Sequence, residues 1–327
     1  MRNLAINIAV LGALGVVSSP AMATGFVALP TAGFTVTGGT SAYTLCNQTG
    51  NFGSSATGST APTTSANNVC AVFPSNANTS PVSGYTLIAS TTSNLNISDA
   101  AHTNNSTISV GTVKDYVWRN AAATSCIYGM RAQLTNVDYD LNTAGVQTFE
   151  IDDFARAGFA ARDGSNSINA GYYFTNISDE VAFRIGRSFT SVQHRADPSD
   201  STGNSVATGY VALPLTASAP TPPGIPGGTI NGLTTAWNSS MGTPTAAQQA
   251  AALSNNWVDF TTDVNYDDVD GSSSATTSLF YVQATCTSAT PTKLTGALRF
   301  RQSGQETGDL IELQMDGYAP AGGTTAY

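Results

Sequence analysis

The chain has 327 residues, of which only 10% are charged, and 21 acidic against 12 basic side chains leave a net charge of −9. A chain this acidic has little with which to neutralise phosphates, so nucleic acid is excluded as a partner. Solubility has to come from Ser, Thr, Asn, Gln and Gly, most of which disfavour helix and suit strands and turns.

Residues 1–23 read as a secretory signal peptide. Met1-Arg2-Asn3 is a positive start, Leu4 to Val17 is apolar, and Ala21-Met22-Ala23 is a small-x-small cleavage site. The apolar run falls short of the roughly 20 residues that cross a bilayer. No later run is longer, so no membrane span is expected. The expected location is secreted, in the extracellular space or at a cell surface.

Residues 24–110 form a Ser/Thr/Asn/Gly-rich β region, read as a possible assembly arm. It begins with Thr24-Gly-Phe-Val-Ala-Leu-Pro30, which recurs as Thr208-Gly-Tyr-Val-Ala-Leu-Pro214. Two readings of the repeat stand open. The segments are two similar edge strands, each ended by a proline. Alternatively they can occupy equivalent places in a sheet, so that Phe26, Val27, Ala28 and Leu29 add as a strand to a neighbouring subunit. Between Cys46 and Cys70 lies a run of turn formers, a surface excursion stapled at its base. Tyr85 to Ala89 and Thr107 to Val117 read as strands.

Residues 111–327 read as the main domain. Cys126, Tyr128, Met130, Ala132 and Leu134 share one face of a strand, with Arg131 and Gln133 on the other. The same alternation recurs at Val181–Ile185, at Phe280–Cys286 and at Leu298–Arg301, which pairs as a hairpin with Ile311–Met315. Thr243-Pro244 before an alanine-rich body predicts a short helix near 244–253. The Pro-rich stretch 214–231 reads as a long loop within this domain. Period-two segments in succession predict an all-β antiparallel sandwich, jelly-roll or Ig-like, with long polar loops.

Four cysteines in an exported chain predict two disulfides. Of three pairings, Cys46–Cys70 closes a local loop and Cys126–Cys286 ties the central strand to a late one. These two are the pairing expected.

Two acidic turns offer oxygens for a hard cation: Asp138, Asp140 and Asn142, and Asp263, Asn265 and Asp267. Calcium is the cofactor they would take. Neither is an EF-hand, because Phe149 and Ser274 stand where the closing glutamate belongs. Asp and Asn are also ordinary turn residues.

No motif names a reaction. The two histidines, His102 and His194, lack any nucleophile signature around them, and there is no G-x-S-x-G or H-E-x-x-H. Glu150, Asp152, Asp153 and Glu312 are the carboxylates that a glycan hydrolase could use. Trp118, Trp237, Trp257 and Tyr172 to Phe174 are core residues or a sugar-stacking platform. The function expected is a non-enzymatic structural protein, a self-assembling subunit of an extracellular filament, surface layer or matrix. Its partners would be copies of itself, joined by strand addition. The alternatives are a calcium-assisted carbohydrate-binding module, with glycans as partners, and a secreted glycan hydrolase.

Overall fold

A computed structural model describes residues 25–36, 39–46, 62–64, 69–162, 168–173, 182, 184–188, 191–195, 210–214, 253–267, 275–302 and 311–326. Two six-stranded antiparallel sheets pack face to face. Sheet 1 runs β1 (Val27–Ala28), β9 (Asn169–Tyr173), β14 (Leu279–Thr285), β7 (Ser125–Leu134), β6 (Ile108–Asn120) and β5 (Tyr85–Ile97). Sheet 2 runs β16 (Ile311–Ala319), β15 (Thr292–Gln302), β8 (Glu150–Arg156), β13 (Val258–Asn265), β10 (Arg184–Gly186) and β4 (Tyr43–Leu45). Two hairpin-like pairs stand apart: β2 (Phe34–Val36) with β3 (Gly39–Ser41), and β11 (Ser191–Arg195) with β12 (Tyr210–Pro214). The expected all-β sandwich is therefore observed. The expected helix near 244–253 lies outside the described residues apart from Leu253, as does the Pro-rich 214–231 apart from Pro214.

Alternation explains which faces meet. Tyr128, Met130, Ala132 and Leu134 of β7 and Val113 and Val117 of β6 point into the core. Sheet 2 answers with Phe154, Phe260 and Phe300, neighbours across β8, β13 and β15. Phe154 stacks on Phe260 at 4.9 Å between centroids, and Phe280 of sheet 1 tilts against Phe154 at 4.5 Å. Aromatic pairs in this range add to the burial of their area.

A second small core covers the outside of sheet 1. Tyr116, Trp118, Ile127 and Tyr281 pack there with Val72, and Phe26 and Val82 lie against them. Trp118 crosses Gly129, where a Cβ would come within 2.5 Å of the indole ring. Large aromatics thus sit over positions where the sheet has no side chain.

Both disulfides form as expected, Cys46–Cys70 and Cys126–Cys286. Among the described residues no helix is long and apolar enough to cross a membrane.

Three strands differ from the sequence expectation. β5 continues from Ala89 to Ile97, 13 residues in all. Register shifts between Leu87 and Ala89 and between Leu95 and Asn96 break its alternation, which hid its length. It ends sheet 1 as an edge without a charged residue or proline. β8, which holds Glu150, Asp152 and Asp153, was not expected as a strand, and β13 takes in Asp263 and Asn265 of the second expected acidic turn; Arg301 meets Asp153 of β8 and Asp259 of β13.

Phe154→Ala should lower stability by about 3–5 kcal/mol, since it removes the ring that meets Phe260, Phe280 and Phe300. Denaturant unfolding of the oxidised chain would measure it, and a loss under ~1 kcal/mol would contradict this packing.

Candidate functional site

The candidate assembly strand is the sheet's shortest member. β1 pairs with β9 at two positions only, Val27 with Ala170 and Ala28 with Asn169. Its hold comes from what flanks the ladder. The Leu29 side chain is wholly buried, and its N–H donates to the Ile168 carbonyl at 2.9 Å. The Leu29 carbonyl accepts a hydrogen bond from Arg187 Nη1 at 3.0 Å. Arg187 is itself buried and also donates to the Ser254 and Asn255 carbonyls. On the other side Phe26 lies over Gly171, 5.8 Å from the Tyr281 ring. Beyond Pro30 the chain turns, with Gly33 at a φ of 76° donating its N–H to the Pro30 carbonyl. The rest of the β9 edge is taken by Cys70 and Val72, which exchange hydrogen bonds with Tyr172. So β1 fills a short slot whose far wall is fixed by a disulfide. The second copy of its sequence contributes β12, paired with β11. The two copies are both strands, and they have different partners.

The structure also gathers charges that the sequence reading kept apart. On sheet 2, Arg184, Thr261, Asp153, Arg301 and Glu312 are successive register partners across β10, β13, β8, β15 and β16. The next row on that face holds Tyr43, Gly186, Asp259, Ala155 and Arg299. The face opposite carries the phenylalanine stack. Arg301 is the hub. It donates from Nη1 to Asp153 Oδ1 at 2.5 Å and to Asp259 Oδ2 at 3.2 Å, and from Nε to Glu312 Oε2 at 2.9 Å. Arg299 binds the other Glu312 oxygen at 2.6 Å. The Tyr43 hydroxyl donates to Asp259 Oδ1 at 3.2 Å. The Arg184 guanidinium lies 4.8 Å from the centre of the Tyr43 ring, with its buried Nε and Nη2 unbonded.

Burial decides the ionisation here. Removal from water raises the Asp259 carboxyl well above the ordinary range, and the neighbouring Asp153 charge raises it further. Burial also raises Asp153, against the pull of Arg301. Of the two, Asp259 is raised further, because the Asp153 charge adds to its burial. For Arg301 burial works against the charge, but Asp153, Glu312 and Asp259 outweigh it and keep the guanidinium ionised. This is chemistry for holding five strands in register. Asp153 and Glu312, two of the carboxylates considered for hydrolysis, are both committed to Arg301. Glu150 and Asp152 are buried on the same strand as Asp153.

The two acidic turns are placed as follows. Asp138 Oδ1 accepts the backbone N–H groups of Asp140 and Gln147, each at 3.1 Å. Asp140 Oδ1 accepts the Asn142 N–H at 2.9 Å, and the Asn142 amide donates to the Ala101 carbonyl. Partial burial opposes ionisation of Asp140, but hydrogen bonds from the Thr143 side chain and the Asn142 backbone, with His102 nearby, hold its carboxyl below the usual range. His102 is buried with Nδ1 3.0 Å from Asp99 Oδ1. In the second turn Asn265 is buried at the end of β13 opposite Glu150, and Asp267 is exposed just beyond. Asp263 falls inside β13. Among the described residues no three His, Cys, Asp or Glu side chains gather as a metal-sized group. Trp118, Trp257 and Tyr172 are buried, and Trp237 and Phe174 lie outside the described residues.

Sequence reasoning missed Arg301, Arg184, Asp259, Tyr43 and Arg187. One signal was available. In the predicted hairpin, Arg299 and Arg301 alternate out of the core on the same side as Glu312 and Gln314, which makes Arg301 opposite Glu312. The Asp153–Asp259 contact joins strands that were not recognised as strands.

The chain matches no protein-family model, no curated protein and no solved structure.

The raised Asp259 carboxyl has a measurable signature. A carboxyl raised on folding contributes stability that is fully present below the unfolded value, about 4, and is lost as pH rises through the folded one. Asp259→Asn keeps a neutral hydrogen-bonding group there, so it should flatten that decline between pH 4 and pH 8 relative to the parent chain. Melting temperatures of both chains across that range check this, and parallel curves would refute a raised Asp259 carboxyl.

Proposed function

We propose that this chain is a secreted, non-enzymatic structural subunit that assembles outside the cell into a filament, surface layer or matrix. The joint is exchange of β1. The observation that carries this reading is the pairing of a two-residue ladder with a deeply buried anchor. Little main-chain pairing has to be broken to release β1, while Leu29 and Phe26 give it a specific seat. A neighbour's β1 would make the same contacts in that seat, so exchange costs little at equilibrium beyond the change in chain connection. Each subunit then gives one strand and receives one, which propagates as an open chain if the operation does not close into a ring.

Two further features support the reading. Two disulfides suit an oxidising location. The opposite edge of sheet 1, β5, has none of the lysines or prolines that commonly guard an edge against pairing. A structural role also accords with a sequence in which no reaction motif was found.

Electron microscopy of residues 24–327 tests the proposal. Ordered assemblies are expected from that chain. A chain beginning at Phe34 should keep both disulfides and its strand content, yet stay dispersed. The peptide Thr24–Pro30, added in excess to that shortened chain, should raise its melting temperature by filling the vacant slot. Assembly that persists without residues 24–33 would overturn the proposal.

A further inference from the structure

We propose that the outer face of sheet 1 carries a binding site for acidic sugars, centred on Lys114 and Arg131. These residues stand directly opposite each other in the register of β6 and β7. Both alternate away from the core, which takes Val113, Met130 and Ala132 instead. Like charges at opposed positions on one sheet face repel. In a chain with 12 basic residues and a net charge of −9, placing two of them together without an acid needs a reason.

Several other cations of the structure are answered differently. Arg156, Arg299 and Arg301 meet carboxylates. Arg119 and Arg187 deliver their guanidinium groups to main-chain carbonyls. Neither Lys114 nor Arg131 pairs with a carboxylate among the described residues. The Lys114 ammonium has the Asn78 side-chain oxygen at 3.3 Å and the Tyr116 ring centre at 5.0 Å. The Arg131 Nε is buried and has no hydrogen-bond partner.

The two cations line a groove of about 420 Å³, together with Asn78, Thr92, Thr112 and Gln133. That volume is in the range of small-ligand sites, about 300–1,000 Å³. The lining chooses the ligand class. Arg131 and Lys114 supply donors to a carboxylate, which a guanidinium can hold by two hydrogen bonds. The threonine hydroxyls and the two amides both donate and accept. A bare inorganic anion uses donors alone, whereas a sugar ring presents hydroxyls that do both beside its carboxylate. The site would therefore take a uronic-acid unit of a polysaccharide. It stands on β5–β7, away from β1 at the other end of sheet 1, and is independent of strand exchange.

Calorimetric titration of residues 24–327 tests this with three probes: an oligogalacturonate, a neutral oligosaccharide of the same length, and sodium sulfate. The acidic oligosaccharide should bind, about tenfold or more tightly than the neutral one, and less tightly as salt is added. Lys114→Ala and Arg131→Gln should each weaken it by about tenfold while leaving the melting temperature unchanged, because neither side chain carries an ion pair of the fold. Lys293→Ala, a lysine outside the groove, should have no effect. Absence of binding, equal binding of the neutral sugar, or binding indifferent to both groove variants would overturn the proposal. Sulfate binding without sugar binding would also overturn it, leaving a plain anion site.

Discussion

A buried ion pair crosses between the two sheets and locks them. Arg156 of β8 reaches out of sheet 2 and meets Asp115 of β6 at 2.8 Å. The same guanidinium donates to the Gly129 and Tyr318 carbonyls and lies 5.4 Å from the centre of the Tyr128 ring. The second Asp115 oxygen accepts the Tyr318 N–H at 2.6 Å. Burial pushes the Asp115 carboxyl up, and Arg156 pulls against it. Apolar faces alone tolerate small sliding, because one methyl group replaces another. A buried charge has no second-best position, since leaving its partner would strand both ions away from water. Arg156 therefore fixes where sheet 2 sits on β6 and β7 of sheet 1, and the phenylalanine stack closes around that setting.

Charge is scarce in this chain, and its placement divides the labour between the sheets. Sheet 2 spends charges on cohesion, with Arg301 bridging β8, β13 and β16. On the outer side of sheet 1, Lys114 and Arg131 stand opposite each other with no carboxylate paired to either among the described residues. Between these, most exposed positions of β5 are Thr, Ser and Asn. A surface of this kind neither repels a second copy nor forbids pairing along a strand edge. Charged residues are few, and most of the described ones are buried.

Much of the fold was legible because its strongest strands alternate cleanly. β7 shows Tyr128, Met130, Ala132 and Leu134 inward with Arg131 and Gln133 outward, as two-residue periodicity requires. The hairpin of β15 and β16 follows the same rule over Leu298–Arg301 and Ile311–Met315. The disulfides followed from sequence distance and strand placement. β8 was opaque for a definite reason. Glu150-Ile-Asp-Asp-Phe-Ala-Arg156 is buried at every position, so its acids look like solvent-facing turn residues unless their arginines are known. Those arginines come from β15, about 150 residues later, and no local pattern announces them. The bulge opposite Asp152 in β13 hid that strand too. Leu29 and its seat show the same limit. The repeat made residues 26–29 noticeable, but their clamp is Arg187, far along the chain.

The Cys126–Cys286 bridge spans 160 residues of sequence while joining β7 to the residue just after its sheet neighbour β14. It makes everything from 127 to 285 a covalently closed excursion. That excursion includes β8, β9 and β13, members of both sheets. A protease that cuts once anywhere within it opens the loop without releasing a fragment. The nicked chain keeps its mass until a reductant separates the pieces. Wherever thiols are scarce, the folded unit would outlast a cut in its own backbone.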